Sequence, residues 1–534
     1  MKAPQPSKLG SVSRCFLNKY SPLIQGTLCG LDRLRLRGTL RHLYQPTVME
    51  AYLNACRVLI KDFGQFARRL TERLKDKAYA LAEQKQRPFQ FLNSSQQSKE
   101  ELARQIQQRD KIDQGLICVL SAVEPCMSYN VRGQRETQEI HMVLEPRKCT
   151  HFYYYYQHAI FGFMHVRVQS WFPFAVNFCL NGREWLASQL DRAQIGYQKK
   201  DNCFTWIQDF AKAQKLMNKQ FETDWPLLLN GLLEEAHPLA AEICRPIGQE
   251  YYWSASDTEY ATDIIFKDPA ALQELYPGFV RHAISTFQSP DVMRFLGRSV
   301  PAITGRVNGH FKGEVISDVK HRPEGIRVKH SVNKNSVKMY DKAGQVLRIE
   351  TLVLNTLDFR VFRSPEGKPE GKRRWLTLRR GLADMKRRAQ VSEASNNRYL
   401  EALASSSGGT PVEQLTQKLC KALRKNRRRY RALNPWSAQD AALLEAISRG
   451  EFTINGFRNR DIRSLLFPEP CSVRLRKKRA GAVTRKFALL RAHGVIRKVA
   501  GTHRYVVTAK GRQMLTAVLA ARQADVEQLT KMAA

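Results

Sequence analysis

The chain has 534 residues, of which 43% are hydrophobic and 25% charged, so it has enough apolar content for several packed domains and too much for a disordered protein. Lys and Arg outnumber Asp and Glu by 87 to 49, which gives a formal net charge of +38. No apolar run reaches the roughly 18–20 residues of a membrane span, and the basic N-terminus lacks the apolar segment of a secretory signal. A cytoplasmic protein that does not engage a membrane is therefore expected.

The cysteine distribution argues against disulfides and zinc. Eleven cysteines, an odd number, are scattered without a C-x-x-C pair or a paired Cys/His spacing. This pattern is typical of a reducing compartment. The chain also lacks the phosphate-loop, dinucleotide, serine-hydrolase and zincin motifs. Neither a nucleotide cofactor nor zinc is expected.

Residues 1–112 are predicted to form a helical N-terminal region. Apolar residues recur at helical spacing over residues 48–86, and a more polar helix is expected over residues 99–112. Within this region, residues 33–37 alternate Arg with Leu, and this short stretch could instead be a strand.

Residues 113–300 are predicted to form a central α+β domain built around an antiparallel sheet. Helices are expected over residues 183–193 and through most of residues 208–300. Strands are expected over residues 116–123, 150–157 and 163–171, with a strand-turn-strand over residues 195–207.

Two strands of this domain carry polar rows. His165 and Arg167 share one face of the later strand, and His151, Tyr153 and Tyr155 share one face of the earlier strand. A hairpin that turns at residues 159–162 would bring the rows together. Tyr155 and His165 are then candidates for catalysis and Arg167 for binding nucleic acid, although bases could equally stack on such a face. A polar face that helices simply cover is the structural alternative.

Residues 301–404 are predicted to form a β-meander followed by a basic helix, packed on the central domain. The helix is expected over residues 376–404. The Ser/Gly run within residues 405–410 is the clearest linker of the chain, and a domain boundary is expected there. The strands are expected over residues 314–319, 326–332, 336–340, 346–354 and 359–362.

Most of the excess positive charge lies in the C-terminal part of the chain. Residues 360–512 hold 37 of the 87 Lys and Arg but only 11 of the 49 Asp and Glu. An excess of this size usually has a polyanionic partner. Nucleic acid is the natural partner, because each phosphate neutralised by Lys or Arg releases condensed counterions.

Residues 411–534 are predicted to form a DNA-binding domain. A hairpin is expected over residues 495–508, and a closing helix follows it. The order helix, helix, two-stranded wing, helix is that of a winged helix-turn-helix. The preceding elements are a basic helix over 411–431, a helix from Ser437, a short helix over 459–466, a basic loop over 474–479 and a helix over 482–493.

The segment from Val483 to Lys498 resembles recognition helices of bacterial winged-helix proteins, and Thr508-Ala-Lys-Gly-Arg resembles the segment after the wing in MarR-like repressors. This resemblance implies that one helix enters the major groove of duplex DNA while the wing contacts phosphates. The residues expected at the DNA are Thr484, Arg485, Lys486 and Arg491 on the helix, and Arg497, Lys498, His503 and Arg504 on the wing.

A second resemblance lies in the β-meander. The pattern Lys338-Met-Tyr340-Asp-Lys, followed by Leu-Arg348-Ile-Glu350, is similar to one in phage and plasmid replication initiators that nick one DNA strand. The resemblance implies that Glu350 helps to bind a divalent metal and that Tyr340 takes the 5′-phosphate covalently. In a hairpin Lys338 and Tyr340 share a face, as do Arg348 and Glu350. Both cations are expected to contact nucleic acid.

The chain departs from those initiators at the metal site. Their His-hydrophobic-His motif is absent, and in the nearest counterpart, His165-Val-Arg167, the arginine cannot be a ligand. Carboxylates would then hold the metal, which favours Mg²⁺ or Mn²⁺. Glu350, Asp257 and Glu259 are the candidate ligands, with Asp32, Glu124 and Asp263 as further acids. Each acid could instead form an ion pair with a nearby arginine.

These features together predict a nucleic-acid-binding protein of a bacterial mobile element or replicon that cuts or transfers DNA strands by replication-initiator, nickase or transposase-like chemistry. Whether the chain is an enzyme stays open. A non-catalytic DNA-binding or regulatory protein and an RNA-binding protein are the alternatives. Duplex DNA is the expected partner of residues 411–534, and a homo-oligomer is left open.

Overall fold

The computed structural model describes residues 9–524, except 94–96, 135–138, 299–313, 323–324, 366, 368–369, 405–411, 426–427, 450–451, 453–455 and 500–501. The predicted linker at residues 405–410 lies outside the described residues. The chain folds into two compact units. Unit 1 contains the described residues of Met1–Ser11, Leu28–Thr262 and Leu352–Glu393, and unit 2 those of Val12–Thr27, Asp263–Thr351 and Ala394–Ala534.

Strands and helices are interspersed along the described part of the chain. The strands are β1 (Ile24–Thr39), β2 (Phe89–Phe91), β3 (Gly115–Gln134), β4 (Glu139–His158), β5 (Gly162–Gln169), β6 (Val176–Asn181), β7 (Tyr197–Lys200), β8 (Cys203–Ile207), β9 (Tyr252–Phe266), β10 (Val315–Arg322), β11 (Gly325–Val332), β12 (Asn335–Lys342), β13 (Val346–Val353), β14 (Arg360–Arg363), β15 (Arg374–Thr377), β16 (Leu423–Lys425), β17 (Arg428–Tyr430), β18 (Ile496–Lys498) and β19 (Tyr505–Val507).

The helices lie mainly between these strands. They are α1 (Arg14–Tyr20), α2 (Pro46–Ala55), α3 (Phe63–Gln84), α4 (Lys99–Arg109), α5 (Gly182–Arg192), α6 (Phe210–Asn218), α7 (Trp225–Ala236), α8 (Ala240–Cys244), α9 (Pro269–Thr286), α10 (Ser289–Phe295), α11 (Met385–Leu403), α12 (Val412–Thr416), α13 (Ala438–Ser448), α14 (Asn459–Leu466), α15 (Val473–Ala492) and α16 (Ala509–Gln523). Among the helices in the described part of the chain, none is long and apolar enough to cross a membrane.

One large sheet contains eleven of the described strands, in the order β10-β11-β12-β13-β9-β1-β6-β5-β4-β3-β2. The neighbours from β1 to β3 along this order are antiparallel, and β2 adds to β3 in parallel. The fold is therefore a mixed α/β arrangement around a large sheet. The sequence prediction of mixed helices and strands around a sheet is confirmed to this extent.

The N-terminal region is not only helical. Residues 24–39 form the 16-residue strand β1, which lies inside the large sheet. Its Leu34 and Leu36 are buried whereas Arg33 and Arg35 are not, and this period of two favours a strand over a helix. The single helix expected over residues 48–86 is also two helices, α2 and α3, separated by a turn in which Arg57 has a φ of 57°.

The region expected to be helical over residues 208–300 contains the 15-residue strand β9. Its sequence lacks an apolar alternation because polar residues such as Thr258, Glu259 and Thr262 are buried along with the apolar ones. Polar side chains with partners satisfy such buried positions, so hydrophobic periodicity alone does not reveal the strand. Strands β3 and β4 also extend to 20 residues each, far beyond the expected eight.

Four of the five strands expected in the β-meander form in unit 2. The fifth, β14, instead pairs with β15 in a separate two-stranded sheet of unit 1. Strands β10, β11 and β12 pair in antiparallel succession, and β13 follows next to β12. Buried side chains of these strands, including Val328, Met339 and Ile349, form one core with helix residues such as Phe279 and Tyr399. The helix expected over residues 376–404 begins only at Met385, since residues 374–377 form β15.

A separate apolar core holds the C-terminal part of unit 2, with Leu443, Phe457, Phe487 and Leu515 among its members. Two expectations for this part are wrong. In place of one basic helix, the described residues of 412–431 form the short helix α12 and the antiparallel pair β16–β17. Residues 474–479 are not a loop but the start of α15, and the Ser472 hydroxyl caps that helix by accepting from the Leu475 amide.

Candidate nucleic-acid interface

Four neighbouring strands of unit 1 present one polar face. Across this face Arg35 of β1 lies opposite Cys179 of β6, which lies opposite His165 of β5, which lies opposite Tyr155 of β4. Opposed residues of antiparallel strands point to the same side. The parallel row is Arg37, Asn177, Arg167 and Tyr153. The expected hairpin of β4 and β5 therefore brings the two polar rows together.

The two faces of these strands differ sharply in burial. The intervening Leu34, Leu36, Val166, Phe178 and Leu180 are at most 2% exposed. On the polar face, the side chains of Arg33 and Arg35 are 43% and 51% exposed, and that of Arg167 is 26% exposed. This face is therefore open at its arginines, whereas its Tyr153 and Tyr155 are buried in one cluster with residues of α4, so a helix covers part of it. We call the face made by Arg33, Arg35, Arg37, His165 and Arg167 the arginine face.

His165 and Tyr155 lack the properties of a catalytic pair. Burial, together with Arg35 and Arg167, lowers the pKa of His165 to about 3, so the imidazole is neutral at neutral pH. Tyr155 is 2% exposed, and burial raises its pKa above the usual value. Its ring packs against His165 and Phe163. A deeply buried phenol with a raised pKa is a poor nucleophile, so the structure corrects the expectation of Tyr155 as a catalytic residue.

Carboxylates hold the arginine face in place. Arg33 donates to Glu259 at 2.7 Å, and Arg35 lies 3.5 Å from Asp257. Arg167 lies 3.0 Å from Glu124, which also accepts from the Tyr153 hydroxyl. Asp257 thus forms the ion pair that is the alternative to metal ligation. These pairs fix the direction of the guanidinium groups, which still leave half of the Arg35 side chain exposed.

Asp32 and Glu259 bring two carboxylates of unit 1 together. Both residues are buried, at 2% and 5% exposure, and a carboxylate oxygen of each lies within 4.8 Å of the other. Asn202 donates to both oxygens of Asp32 at 3.1 Å. Oxygen donors at this spacing can share a hard divalent cation such as Mg²⁺. Glu259 was among the expected metal ligands, and Asp32 was only one of the further acids.

In unit 2 the motif residues Lys338, Tyr340 and Glu350 converge as the hairpin pattern predicts. Lys338 lies 2.7 Å from one oxygen of Glu350, and the Tyr340 hydroxyl donates to the other. Burial alone would raise the pKa of Glu350, but Lys338, Arg348 and the two hydrogen bonds outweigh it and lower the pKa to about 2. Glu350 is thus a very weak base. Tyr340 is 8% exposed, and its hydroxyl is engaged, so neither group is presented to a phosphodiester.

Arg348 does not reach the surface. It is 0% exposed and donates two hydrogen bonds to Asp263, from Nε at 2.6 Å and from Nη2 at 2.9 Å. A fully buried, paired guanidinium cannot contact nucleic acid, which corrects the expectation for Arg348. Lys338, at 13% side-chain exposure and bound to Glu350, is also a structural cation.

Helix α15 presents a long cationic surface in unit 2. It carries eight Lys and Arg residues and no carboxylate over 20 residues. Its apolar side buries Val483, Phe487 and Leu490 in the C-terminal core. The predicted contact residues Thr484, Arg485 and Arg491 are exposed, and Lys486 is half-buried. The exposed cations of its first half are Arg474, Arg476, Lys477 and Lys478.

The hairpin β18–β19 carries the remaining predicted contacts. Arg497, Lys498 and His503 are exposed, and Arg504 is half-buried. A surface pocket of about 420 Å³ is lined by both elements, with Thr484 from α15 and His503 from the hairpin. The other lining residues are Arg458, Asn459, Arg460, Phe487 and Tyr505. The structure thus brings Thr484 and His503 to one basic pocket.

The Thr508-Ala-Lys-Gly-Arg segment has a clear structural role. Thr508 caps α16 by accepting from the Gly511 amide at 2.9 Å. A Cβ atom on Gly511 would lie 2.1 Å from the carbonyl oxygen of Val495, so only glycine fits this close approach. The motif therefore locks the start of α16 against the first residues of the hairpin segment.

One side-chain group on the arginine-face side of the sheet was not visible in the sequence. Cys126 of β3 and Cys149 and His151 of β4 each place a donor atom within 4.8 Å of the others. The cysteines are 23 residues apart, so no spacing rule finds them. Only the register of β3 and β4, which pairs Glu124 with Cys149 and Cys126 with Arg147, brings them together.

No protein-family model, no curated protein and no solved structure matches this chain.

Proposed function

We propose that the chain is a nucleic-acid-binding protein of a bacterial mobile element or replicon that binds duplex DNA through the C-terminal part of unit 2. In this proposal residues 412–524 act as a winged helix-turn-helix, with α15 as the recognition helix and β18–β19 as the wing. The observation that carries the proposal is helix α15, with its eight cations and no carboxylate.

Such a helix is poorly stabilised by itself. Cations in the first turns oppose the helix dipole, and like charges four residues apart, such as Arg474 and Lys478, repel by a few tenths of a kcal/mol. Phosphate groups along the helix would remove both penalties and release counterions. The charge pattern is therefore costly for a free protein and favourable for a DNA-bound one.

The wing and the short helix α14 support the same role. Asn459 at the start of α14 donates to the Thr484 hydroxyl at 3.0 Å, which fixes α14 against the exposed side of α15. Arg497 and Lys498 then extend from the hairpin as positions for phosphate contacts, while Thr484 and Arg485 are positions for base edges. These are separate roles with separate signatures in a salt titration.

Fluorescence anisotropy of a labelled duplex across a salt series tests the proposal. Replacing Arg485 and Arg491 by Gln should lower affinity at least tenfold. Replacing Arg497 and Lys498 by Gln should reduce the slope of log K against log salt by about 1.8, since each lost phosphate contact removes about 0.9. The charge-matched control replaces the exposed Lys75 and Lys77 of α3 by Gln. Equal affinity of this control and the variant at Arg485 and Arg491 would rule out the α15 surface.

The nucleic-acid class is tested in the same assay. Duplex DNA, single-stranded DNA and RNA of one sequence are compared at equal salt. Preference for the duplex that depends on Arg485 supports the winged-helix role. Preference for RNA or single strands that survives the α15 changes but falls when Arg35 is replaced by Gln would instead favour binding on the arginine face.

A second candidate function is metal-dependent strand cleavage. The observation that favours it is the buried pair Asp32 and Glu259, whose carboxylate oxygens lie within 4.8 Å of each other. Arg33, a type of side chain that binds phosphate, donates to Glu259. Such a pair could hold Mg²⁺ or Mn²⁺, which would activate a water molecule or polarise a phosphodiester. Arg33 would orient the phosphate.

Nicking of supercoiled plasmid in Mg²⁺ or Mn²⁺ tests this second function. Asp32→Asn and Glu259→Gln should each abolish nicking while leaving duplex affinity unchanged, because α15 is untouched. Glu100→Gln removes an exposed carboxylate of α4 as a control and should nick normally. No nicking by the unmodified chain on any substrate, with intact salt-sensitive binding, would leave the non-catalytic function alone.

A further inference from the structure

Three soft donors lie together on the β3–β4 ladder of unit 1. The sulfur atoms of Cys126 and Cys149 are 3.2 Å apart, and a ring nitrogen of His151 lies within 4.8 Å of both. Cys149 and His151 are alternate residues of β4, so they point to the same side of the sheet. Cys126 and Cys149 are half-buried and His151 is buried, so the group is enclosed on one side and accessible through its thiols. We call these residues the dithiol–histidine group.

The ring of His151 is held by a hydrogen bond to the backbone. Its Nδ1 lies 3.1 Å from the Cys149 carbonyl oxygen. A carbonyl can only accept, so Nδ1 carries the proton of the neutral ring and Nε2 keeps its lone pair. Burial, and then Arg167, lowers the pKa of His151 to about 4, so the ring is neutral at neutral pH. Histidines that bind metals usually have their other nitrogen fixed by such a backbone contact.

One hydrogen bond joins the two thiols and acts on them in opposite directions. It lowers the pKa of Cys126 to about 7 and, together with burial, raises the pKa of Cys149 well above its usual value. A metal ion would therefore meet the first thiolate at Cys126 and displace the proton of Cys149. The thiolate is the form that binds metals. Nearby Glu124 is held by Lys99, Arg167 and Tyr153, at 2.6–3.0 Å, and does not belong to the group.

A disulfide is a poorer explanation of the same geometry. Cys149 lies opposite Glu124, two residues from Cys126, so the cysteines are diagonal neighbours on antiparallel strands. Diagonal neighbours have Cα atoms roughly 7–8 Å apart, beyond the ~7 Å that a disulfide can bridge. A tetrahedral zinc site needs sulfurs about 3.8 Å apart at Zn–S distances near 2.3 Å. Rotation of the two cysteine side chains that moves the sulfur atoms about half an ångström further apart reaches that spacing.

We propose that Cys126, Cys149 and His151 bind one Zn²⁺ ion through two thiolates and Nε2, with water in the fourth position. Binding converts two thiols to thiolates and releases two protons to solvent, so the site carries no net charge. Two sulfurs and one imidazole are the donors that Zn²⁺ favours over hard cations. The site is distinct from the oxygen-donor pair Asp32 and Glu259, and it stands whether or not the chain binds DNA.

Cobalt substitution tests the site on the full, untagged, reduced chain after removal of metals. Co²⁺ should bind and give thiolate-to-metal absorption in the near ultraviolet with tetrahedral bands in the visible, and Zn²⁺ should displace it. Cys126→Ser and Cys149→Ser should each lower the intensity of the thiolate band by about half or more, and the double variant should remove the band. His151→Gln, which removes one ligand, should weaken Zn²⁺ binding 10–100-fold or more.

The matched control is Cys179→Ser, which removes another half-buried thiol of the arginine face outside the group. It should leave the cobalt spectrum unchanged. Because Cys149→Ser could disturb the sheet, native mass spectrometry of the Cys126→Ser variant provides the second measurement. It should show loss of the zinc adduct, while the far-ultraviolet circular-dichroism spectrum of the variant stays unchanged. A thiolate band of unchanged intensity in both serine variants, or no band in the unmodified chain, would overturn the proposal.

Discussion

Arg348 and Asp263 form an ion pair with two hydrogen bonds, and both side chains are at most 1% exposed. The geometry matches the planar fork of a guanidinium to a carboxylate, which is the strongest arrangement of these groups. The arginine of the Leu-Arg-Ile-Glu pattern is therefore a structural residue of unit 2 rather than a contact to nucleic acid.

Breaking this ion pair on one side should strongly destabilise the protein. Asp263→Asn leaves the Arg348 charge buried without its counterion, which typically costs about 3–5 kcal/mol. Urea unfolding of the protein, followed by a signal from unit 2, measures this loss of unfolding free energy. Asp318→Asn, which removes a 31%-exposed carboxylate near Lys320 and Arg327, should cost at most about 1 kcal/mol. A similar small cost for both variants would contradict the role of Arg348.

Glu350 should make stability depend on acid pH. Its folded pKa of about 2 lies below the unfolded value near 4.3, so its contribution is fully present above the unfolded value and is lost as pH falls through 2. The contribution is on the order of 3 kcal/mol. Unfolding free energies between pH 2 and 6 should therefore fall more steeply for the unmodified chain than for Glu350→Gln. Parallel profiles would show that Glu350 titrates normally.

Gly511 should be intolerant of any side chain. The close approach of its Cα to the Val495 carbonyl means that Gly511→Ala forces the hairpin segment away from α16, at a cost of roughly 1–3 kcal/mol by the scale of overpacked sites. Gly278→Ala in α9, where a Cβ meets no atom within 4 Å, should instead be neutral or stabilising by about 0.5–1 kcal/mol. Thermal unfolding of both variants separates these outcomes, and a tolerated Gly511→Ala would contradict the contact.

His165 should not act as an acid or base near neutral pH. Its pKa of about 3, lowered by burial and by Arg35 and Arg167, keeps the ring neutral across the physiological range. An NMR titration of labelled imidazole carbons should show no inflection for His165 between pH 5 and 8. An inflection near pH 6.5 would show that the arginine face is more hydrated than the structure indicates.

Hydrophobic periodicity and turn residues in the sequence predicted secondary structure well where one face of an element is apolar. They predict the β-meander, the hairpin β4–β5 and helix α14 at residues 459–466, with Ser437 as the cap of α13. They fail where buried polar residues are satisfied by distant partners, as in β9 with Glu259. They also fail at β16–β17, where a basic sequence without clear periodicity was predicted to be a helix.

The candidate sites divide in the same way. The cations of α15 and the wing are local features, so the sequence predicts them and the structure leaves most of them exposed. The pair Asp32 and Glu259 depends on strands far apart in sequence, and the dithiol–histidine group depends on the register of the consecutive strands β3 and β4. Their members are ordinary residues in linear order, and only strand register reveals them.

The most direct test of the central claim is lysine footprinting of the full chain with and without a DNA duplex, read by mass spectrometry. DNA binding through α15 and the wing predicts that the exposed Lys477, Lys478 and Lys498 lose reactivity toward an acylating reagent when the duplex is added, while Lys75 and Lys77 do not. Unchanged reactivity of Lys477, Lys478 and Lys498 on a bound duplex would contradict the proposed DNA-binding surface.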